Sequence, residues 1–223
     1  SFGRHPASDG SEAFPVQMMP TPGAPNAGPR VPPVVISRIL YRPALVGDAY
    51  VELYNTTDAG INLWDPGNPG STWALGDLWN APVPFPGNTV IAAKGHVLVV
   101  ASDPATFRVR YQVPEAVPIV RLQGLSFDSV ARYGVSLFQP SGLAAGAIRY
   151  VEVERVRYGT AAPWPAGADA PGHSLERIHP ERYGNDPQNW REAPVGLLPG
   201  RPIRGNLPPR VWAGGPQTHF ARR

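Results

Sequence analysis

Cysteine is absent from all 223 residues. That excludes disulfides, thiolate nucleophiles and thiolate metal sites. It does not place the protein in the cytosol, since exported domains of many bacteria also lack cysteine. Lysine is almost absent: Lys94 stands alone among the twenty basic residues. The net charge of +3 is mild and comes from arginine. A GC-rich genome accounts for this. So would a polyanion-binding surface, but that reading needs a basic cluster. The arginines are scattered, apart from Arg149, Arg155 and Arg157 on one stretch and Arg222-Arg223 at the end. No apolar run approaches bilayer-spanning length, and no segment holds a sustained helical apolar period.

The arrangements that run reactions are missing too. There is no G-x-G-x-x-G and no P-loop pattern. Gly172-His173-Ser174-Leu175-Glu176 begins like a nucleophile elbow but lacks its final glycine and sits in a strand context. The five histidines, at 5, 96, 173, 179 and 219, show no metal-ligand spacing; His173 and His179 could meet in space but read as exposed loop residues. Glu52 and Glu176 are the best-placed carboxylates; on strands they are expected to make surface pairs, not general acid–base chemistry. Acidic turns at Asp65, Asp169 and Asp186 offer oxygen ligands for a structural calcium ion, without EF-hand spacing. Asn55-Thr56-Thr57 is a glycosylation sequon. No catalytic residue, cofactor or metal is assigned, and the chain is expected not to be an enzyme.

What is present is turn chemistry between short apolar runs. Proline (29) and glycine (24) make nearly a quarter of the chain. Val34 to Tyr41 is β-branched and aromatic, and stops at Arg42-Pro43. Tyr50-Val51-Glu52-Leu53-Tyr54 alternates as a half-buried strand does. The Asn55 to Gly60 turn then leads to a third short strand at Ile61. Thr89 to Ala93 and His96 to Ala101, joined at Lys94-Gly95, read as a β-hairpin whose second run is a central strand. Asp103-Pro104 opens a short helical turn, with Phe107 and Tyr111 on one face. Gly134 to Phe138 is a strand ended by the Gln139-Pro140-Ser141-Gly142 turn. Ala147 to Tyr158 is a long alternating strand. Glu152 and Glu154 fall on one face and the three arginines on the other, which predicts wet-face ion pairs worth under about 1 kcal/mol each. The fold class is all-β.

A resemblance sharpens this. Ile36-Ser37-Arg38-Ile39-Leu40-Tyr41-Arg42-Pro43 resembles the opening I-x-E-I-x-Y-x-P strand of lamin-tail domains, with Arg38 where glutamate is usual. Ala49-Tyr50-Val51-Glu52-Leu53-Tyr54-Asn55 is similar to their second strand. The tryptophan-and-Asp step is stretched, from Leu63-Trp64-Asp65 to Thr72-Trp73-Ala74-Leu75-Gly76-Asp77. Trp164-Pro165, His173 to Arg177 and Gly184 to Trp190 fit the secreted bacterial version. The resemblance covers about 34–200 and implies an immunoglobulin-like β-sandwich at the cell surface or outside the cell, acting in adhesion or targeting.

It also suggests a repeat. Ser1-Phe2-Gly3-Arg4-His5-Pro6 matches Ser174-Leu175-Glu176-Arg177-Ile178-His179-Pro180, and Phe14 answers Trp190. Residues 1–33 are therefore expected to be the end of a preceding similar module plus linker, with a disordered leader as the other reading. The module spans 34–200, and 201–223 is expected to link to a following domain. No leader pattern stands at Ser1, and an internal piece of a longer chain would not carry one.

Function is then expected to be non-catalytic: an adhesion, targeting or spacer module of a multi-domain secreted or surface protein, its partner a protein or a cell-surface polymer. The alternative is an accessory substrate-binding domain of a secreted hydrolase, recognising a polyanion or glycan. Nucleic acid ranks low as a partner and no membrane span is expected. Trp64, Trp73 and Trp79 either pack internally or form an aromatic platform. With Arg149, Arg155 and Arg157 they are the candidate ligand surface.

Overall fold

The computed structural model describes residues 1–194, apart from Leu78 and Ala145; of Ser129 and Ala144 it describes the backbone only. The expected linker at 201–223 lies outside the described residues, as does the end of the expected module. In chain order come β1 (His5–Pro6), β2 (Glu12–Ala13), β3 (Val34–Leu40), β4 (Tyr50–Asn55), β5 (Ile61–Asn62), β6 (Trp64–Asp65), β7 (Asn68–Thr72) and β8 (Ala74–Gly76). There follow β9 (Val83–Pro84), β10 (Val90–Ile91), β11 (His96–Val100), α1 (Pro104–Tyr111), β12 (Ile119–Val120) and α2 (Phe127–Tyr133). The last are β13 (Val135–Ala144), β14 (Ala147–Val156), β15 (Ser174–Arg177) and β16 (Trp190–Ala193). The protein is mostly strand. Among the described residues no helix is long and apolar enough to cross a membrane.

Six strands form one sheet in the order β12-β11-β4-β3-β15-β16, and four form a second in the order β14-β13-β8-β9. One face of the first sheet carries Val34, Ile36, Ile39, Val51, Leu53, Val97, Val99 and Leu175. These share a single core with Leu75, Val135, Leu137 and Val156 of the second sheet. The opposite face of the first sheet is buried as well. Leu40, Tyr50, Leu98 and Val100 pack with Phe107 of α1 and with Val113 and Val117. Every residue of β3, β4 and β11 is therefore buried, where alternation alone predicted a half-buried β4.

The helix that covers this second face starts as the sequence requires. Asp103 Oδ1 accepts the Thr106 N–H at 2.8 Å and Pro104 occupies the first turn. Phe107 and Tyr111 stack at 4.5 Å. Buried Asp48 takes Arg110 Nη1 on both carboxylate oxygens at 2.7 Å and the Tyr111 hydroxyl at 2.8 Å. Burial, and then Asp48, push the Tyr111 hydroxyl well above the ordinary tyrosine range. Asp103→Ala should lower the urea midpoint with unchanged slope, through loss of the cap.

Several local expectations are corrected. β10 does not pair with β11: it pairs with β5, while β11 lies between β4 and β12. Lys94, at φ 52°, turns the chain from one sheet into the other. β5 likewise leaves the β3–β4 sheet. β13 runs straight through Gln139-Pro140-Ser141-Gly142. Pro140 is tolerated because β8 pairs only with Ser136 to Phe138, and a register shift follows between Pro140 and Gly142. Helix α2 was not anticipated. At its end Gly134 has φ +85°, and a Cβ there would sit 2.2 Å from the Val156 carbonyl oxygen, so only glycine fits the step into β13.

Residues 1–17 form their own hairpin, β1 with β2, extended by a Phe2–Val16 bridge. The hairpin packs against 181–189. Ser8 Oγ bonds Asp186, and the His5 ring meets Tyr183 edge-on at 5.1 Å.

Candidate binding cleft

The three tryptophans of the stretched 64–79 segment have different fates. Trp73 is buried in the main core. Trp79 is 74% exposed and meets Tyr133 edge-on at 5.9 Å. Trp64 is half-buried on β6, and its indole Nε1 is shielded from solvent with no hydrogen-bond partner among the described residues. Only Trp64 and Trp73 come together. They line a cleft of about 650 Å³ between the β5–β7 region and β13, with Asn62, Asp65, Asn68, Ser71, Gln139 and Ser141 contributing polar groups. The β6–β7 ribbon builds one wall, with Trp64 paired to Thr72 and Asp65 to Asn68. Asp65 accepts the Gly67 N–H at 2.8 Å, which fixes the turn. The half-buried Trp64 indole, backed by core residue Trp73 and set beside amides, hydroxyls and a single carboxylate, suits a ligand with apolar C–H faces and many hydroxyls.

The three arginines do not make a patch. Arg155 is half-buried and pairs with Glu152 at 2.7 Å. Arg157 and Arg149 are exposed. Arg149 stands six residues from Arg155, about 20 Å along a strand, beyond a Debye length at physiological salt. Neither Arg155 nor Arg157 lines the tryptophan cleft, and neither does Arg149. The six candidate residues thus divide into one aromatic pair in a cleft, one exposed indole, Arg155 and Arg157 together in a second cleft between the 1–17 hairpin and β14, and Arg149 apart from both.

Of the expected wet-face charges, Glu154 lies inside, while Glu152 and Arg155 stay half-exposed and pair with each other. β14 carries one extra residue opposite the Leu137/Phe138 step. This inverts the face of Glu154, which is buried. Glu154 joins the sheets: it accepts Arg177 Nη1 at 2.6 Å and the Ile36 N–H. Arg177 is fully buried and also donates from Nη1 to the Ile36 carbonyl at 3.1 Å, from Nε to the His179 carbonyl and from Nη2 to the Arg182 carbonyl. Burial raises the Glu154 carboxyl above its ordinary range, with Arg177 and the Ile36 amide pulling the other way.

Glu52 and Glu176 are also buried, not surface pairs. Across the covered face of the first sheet, Glu176 takes Arg38 at 2.9 Å on one oxygen and Arg191 at 2.9 Å on the other. Glu52 takes the Ser37 hydroxyl at 2.8 Å and faces His96 Nδ1 at 3.3 Å. A bulge at Ser37 places Arg38 opposite Glu52 and Glu176. His96 is a buried residue at the start of β11, the strand expected there. Ser174 is buried in β15, not poised as a nucleophile.

Asn55 is spoken for as well. It is buried, and its Nδ2 donates to the carbonyls of Ala59, Ile91 and Ala92. The sequon asparagine is a turn anchor with no free amide for a glycan. Asp169 pairs with Arg42 and Asp186 caps the Pro187–Asn189 turn. Among the described residues no three His, Asp or Glu side chains gather to hold a metal ion. Sequence reasoning missed Asn62, Asn68 and Gln139, because short polar residues in turns carry no signal until the chain brings them together. It also missed Asp48, whose partners lie more than sixty residues on.

No family model matches the chain, and no curated protein or solved structure is matched by it at a significant level.

Proposed function

We propose that this chain is a non-catalytic structural and binding module of a multi-domain protein, displayed on or exported from the cell, with an immunoglobulin-like sandwich of the lamin-tail type. The observation that carries the reading is where its titratable groups are spent. Glu154, Arg177, Glu176, Arg38 and Asp48 are buried and bonded to one another or to backbone, tying β14 to β15, β15 to β3 and α1 to the first sheet. Groups held in this way support the fold; they are not poised for proton transfer to a substrate. The paired sheets around one core, the ordered lamin-tail-like motifs and the repeated hairpin agree with it. A DNA titration across salt concentrations tests the partner class. Dispersed arginines predict weak affinity with a shallow salt slope. An affinity falling steeply with salt, by about 0.9 log units per phosphate neutralised for each log unit of salt, would instead make this a polyanion-binding surface.

A second reading, an accessory domain that recognises glycan, is favoured by the Trp64/Trp73 cleft. Trp64→Ala should weaken binding of chitohexaose or cellohexaose about tenfold, as loss of roughly 1.4 kcal/mol of ring contact would, measured by calorimetry. Equal affinity in variant and parent would move the site elsewhere.

A further inference from the structure

The two hairpins at the ends of the described chain correspond pair by pair. In the first, His5 lies opposite Ala13 and Phe2 opposite Val16, and the Gln17 N–H donates to the Ser1 carbonyl at 2.9 Å. That register sets Arg4 opposite Phe14. In the second, Ser174 lies opposite Ala193, Leu175 opposite Glu192 and Arg177 opposite Trp190. Aligned on the repeated Ser-x-x-Arg, Phe2/Val16 falls on Leu175/Glu192 and Arg4/Phe14 on Arg177/Trp190. Directly opposed residues, and residues two apart on one strand, share a face. Phe2, Arg4, Phe14 and Val16 are therefore on one face, as Leu175, Arg177 and Trp190 are.

In the second hairpin that face looks into the core: Leu175 and Arg177 are 0% exposed and Trp190 is 3%. In the first, Phe2 is 76% exposed and Phe14 64%. The hairpin's other face holds Gly3 and Gln17, both buried. Its turn is fastened to this module through Ser8, which bonds Asp186 and accepts the Gln188 N–H. The hairpin is held in place while the face that its counterpart buries stands open.

We propose that this face closes the core of a second sandwich of the same kind, so that two modules meet through the 1–17 hairpin as a fixed joint and not a loose linker. The inference rests on the module reading above. Phe2 and Phe14 take the places of Leu175 and Trp190, and Arg4, which here pairs with Glu12 of its own hairpin, takes that of Arg177.

Two arms test it. In the 223-residue chain, Phe2→Ser with Phe14→Ser should move the melting midpoint by less than about 2 °C, while Leu175→Ser with Trp190→Ser should abolish cooperative melting. A large loss from the first pair would overturn the proposal, since the phenylalanines would then serve this module's own core. In the second arm, residues 34–173 are fused directly before Ser1, so that the 1–17 hairpin is the only closing hairpin available to the added copy. A parallel fusion of 34–194 supplies the copy with its own. Hydrogen exchange should show both added copies protected, and Phe2→Ser with Phe14→Ser should unfold the added copy only in the first fusion. An added 34–173 that stays unprotected while 34–194 folds would overturn it. Neither result bears on whether the module is catalytic, which turnover assays decide.

Discussion

Arg177→Met should lower stability by about 3–5 kcal/mol at pH 7.5, the cost of leaving a buried charge without its partner. Arg177 and Glu154 are both buried and bridge the second sheet to β15. Methionine replaces the stem but not the guanidinium, so Glu154 keeps only the Ile36 N–H. The loss should shrink in acid. A carboxyl whose pKa is raised by folding binds its proton more tightly folded than unfolded. Its proton-linked contribution therefore favours the fold below the ordinary carboxylate range and fades as pH rises through the raised value. Burial already pushes Glu154 in that direction, and Arg177 restrains it. Without Arg177 the carboxyl rises further, so protonation relieves the stranded charge as pH falls. Urea denaturation at pH 7.5 and pH 5 should show a smaller deficit at pH 5. An equal deficit at both would mean that packing, not charge, sets the cost.

Glu176→Ala should cost about 3 kcal/mol or more. Its carboxylate sits between Arg38 and Arg191, and Arg38 is 2% exposed. Arg38 remains charged: burial opposes its charge, but Glu52 and Glu176 hold its pKa above the ordinary arginine value. Replacing the pair together, Arg38→Met with Glu176→Leu, should cost less than the sum of the two single losses, since no buried Arg38 cation is then stranded, but it takes a cation from buried Glu52 and so recovers the loss only in part. A double-mutant cycle isolates the coupling. If the double variant loses the sum of the two single losses, the pair is not coupled.

These two sites show where sequence reading stops. The strands at 34–40, 50–55, 96–100 and 147–156 were legible from β-branched runs, and Asp103-Pro104 marked its helix. Those signals are local. Which face of β14 carries Glu154 depends on one extra residue opposite β13, and a one-residue slip moves every later side chain across the sheet. Glu52 and Glu176 look like solvent residues because alternation reports one buried face; Phe107, Val113 and Val117 supply the cover for the other. β10 and β11 looked like a hairpin because Lys94-Gly95 is turn chemistry, but no local feature tells a hairpin from a step between sheets. In the candidate cleft, the tryptophans were visible and their polar neighbours were not. Gln139 comes from β13, some seventy residues beyond Trp64 and Trp73.

The central claim, that the module binds or spaces without catalysing, is tested most directly by incubating the 223-residue chain at high concentration with oligosaccharides, polyphosphate, DNA and model esters. New reducing ends, phosphate, nicks and acid are then assayed. The account predicts no turnover above buffer with any of them, including the glycans that the cleft retains. Saturable cleavage of one substrate that survives repurification and is lost in Asp65→Asn, while binding persists, would contradict it.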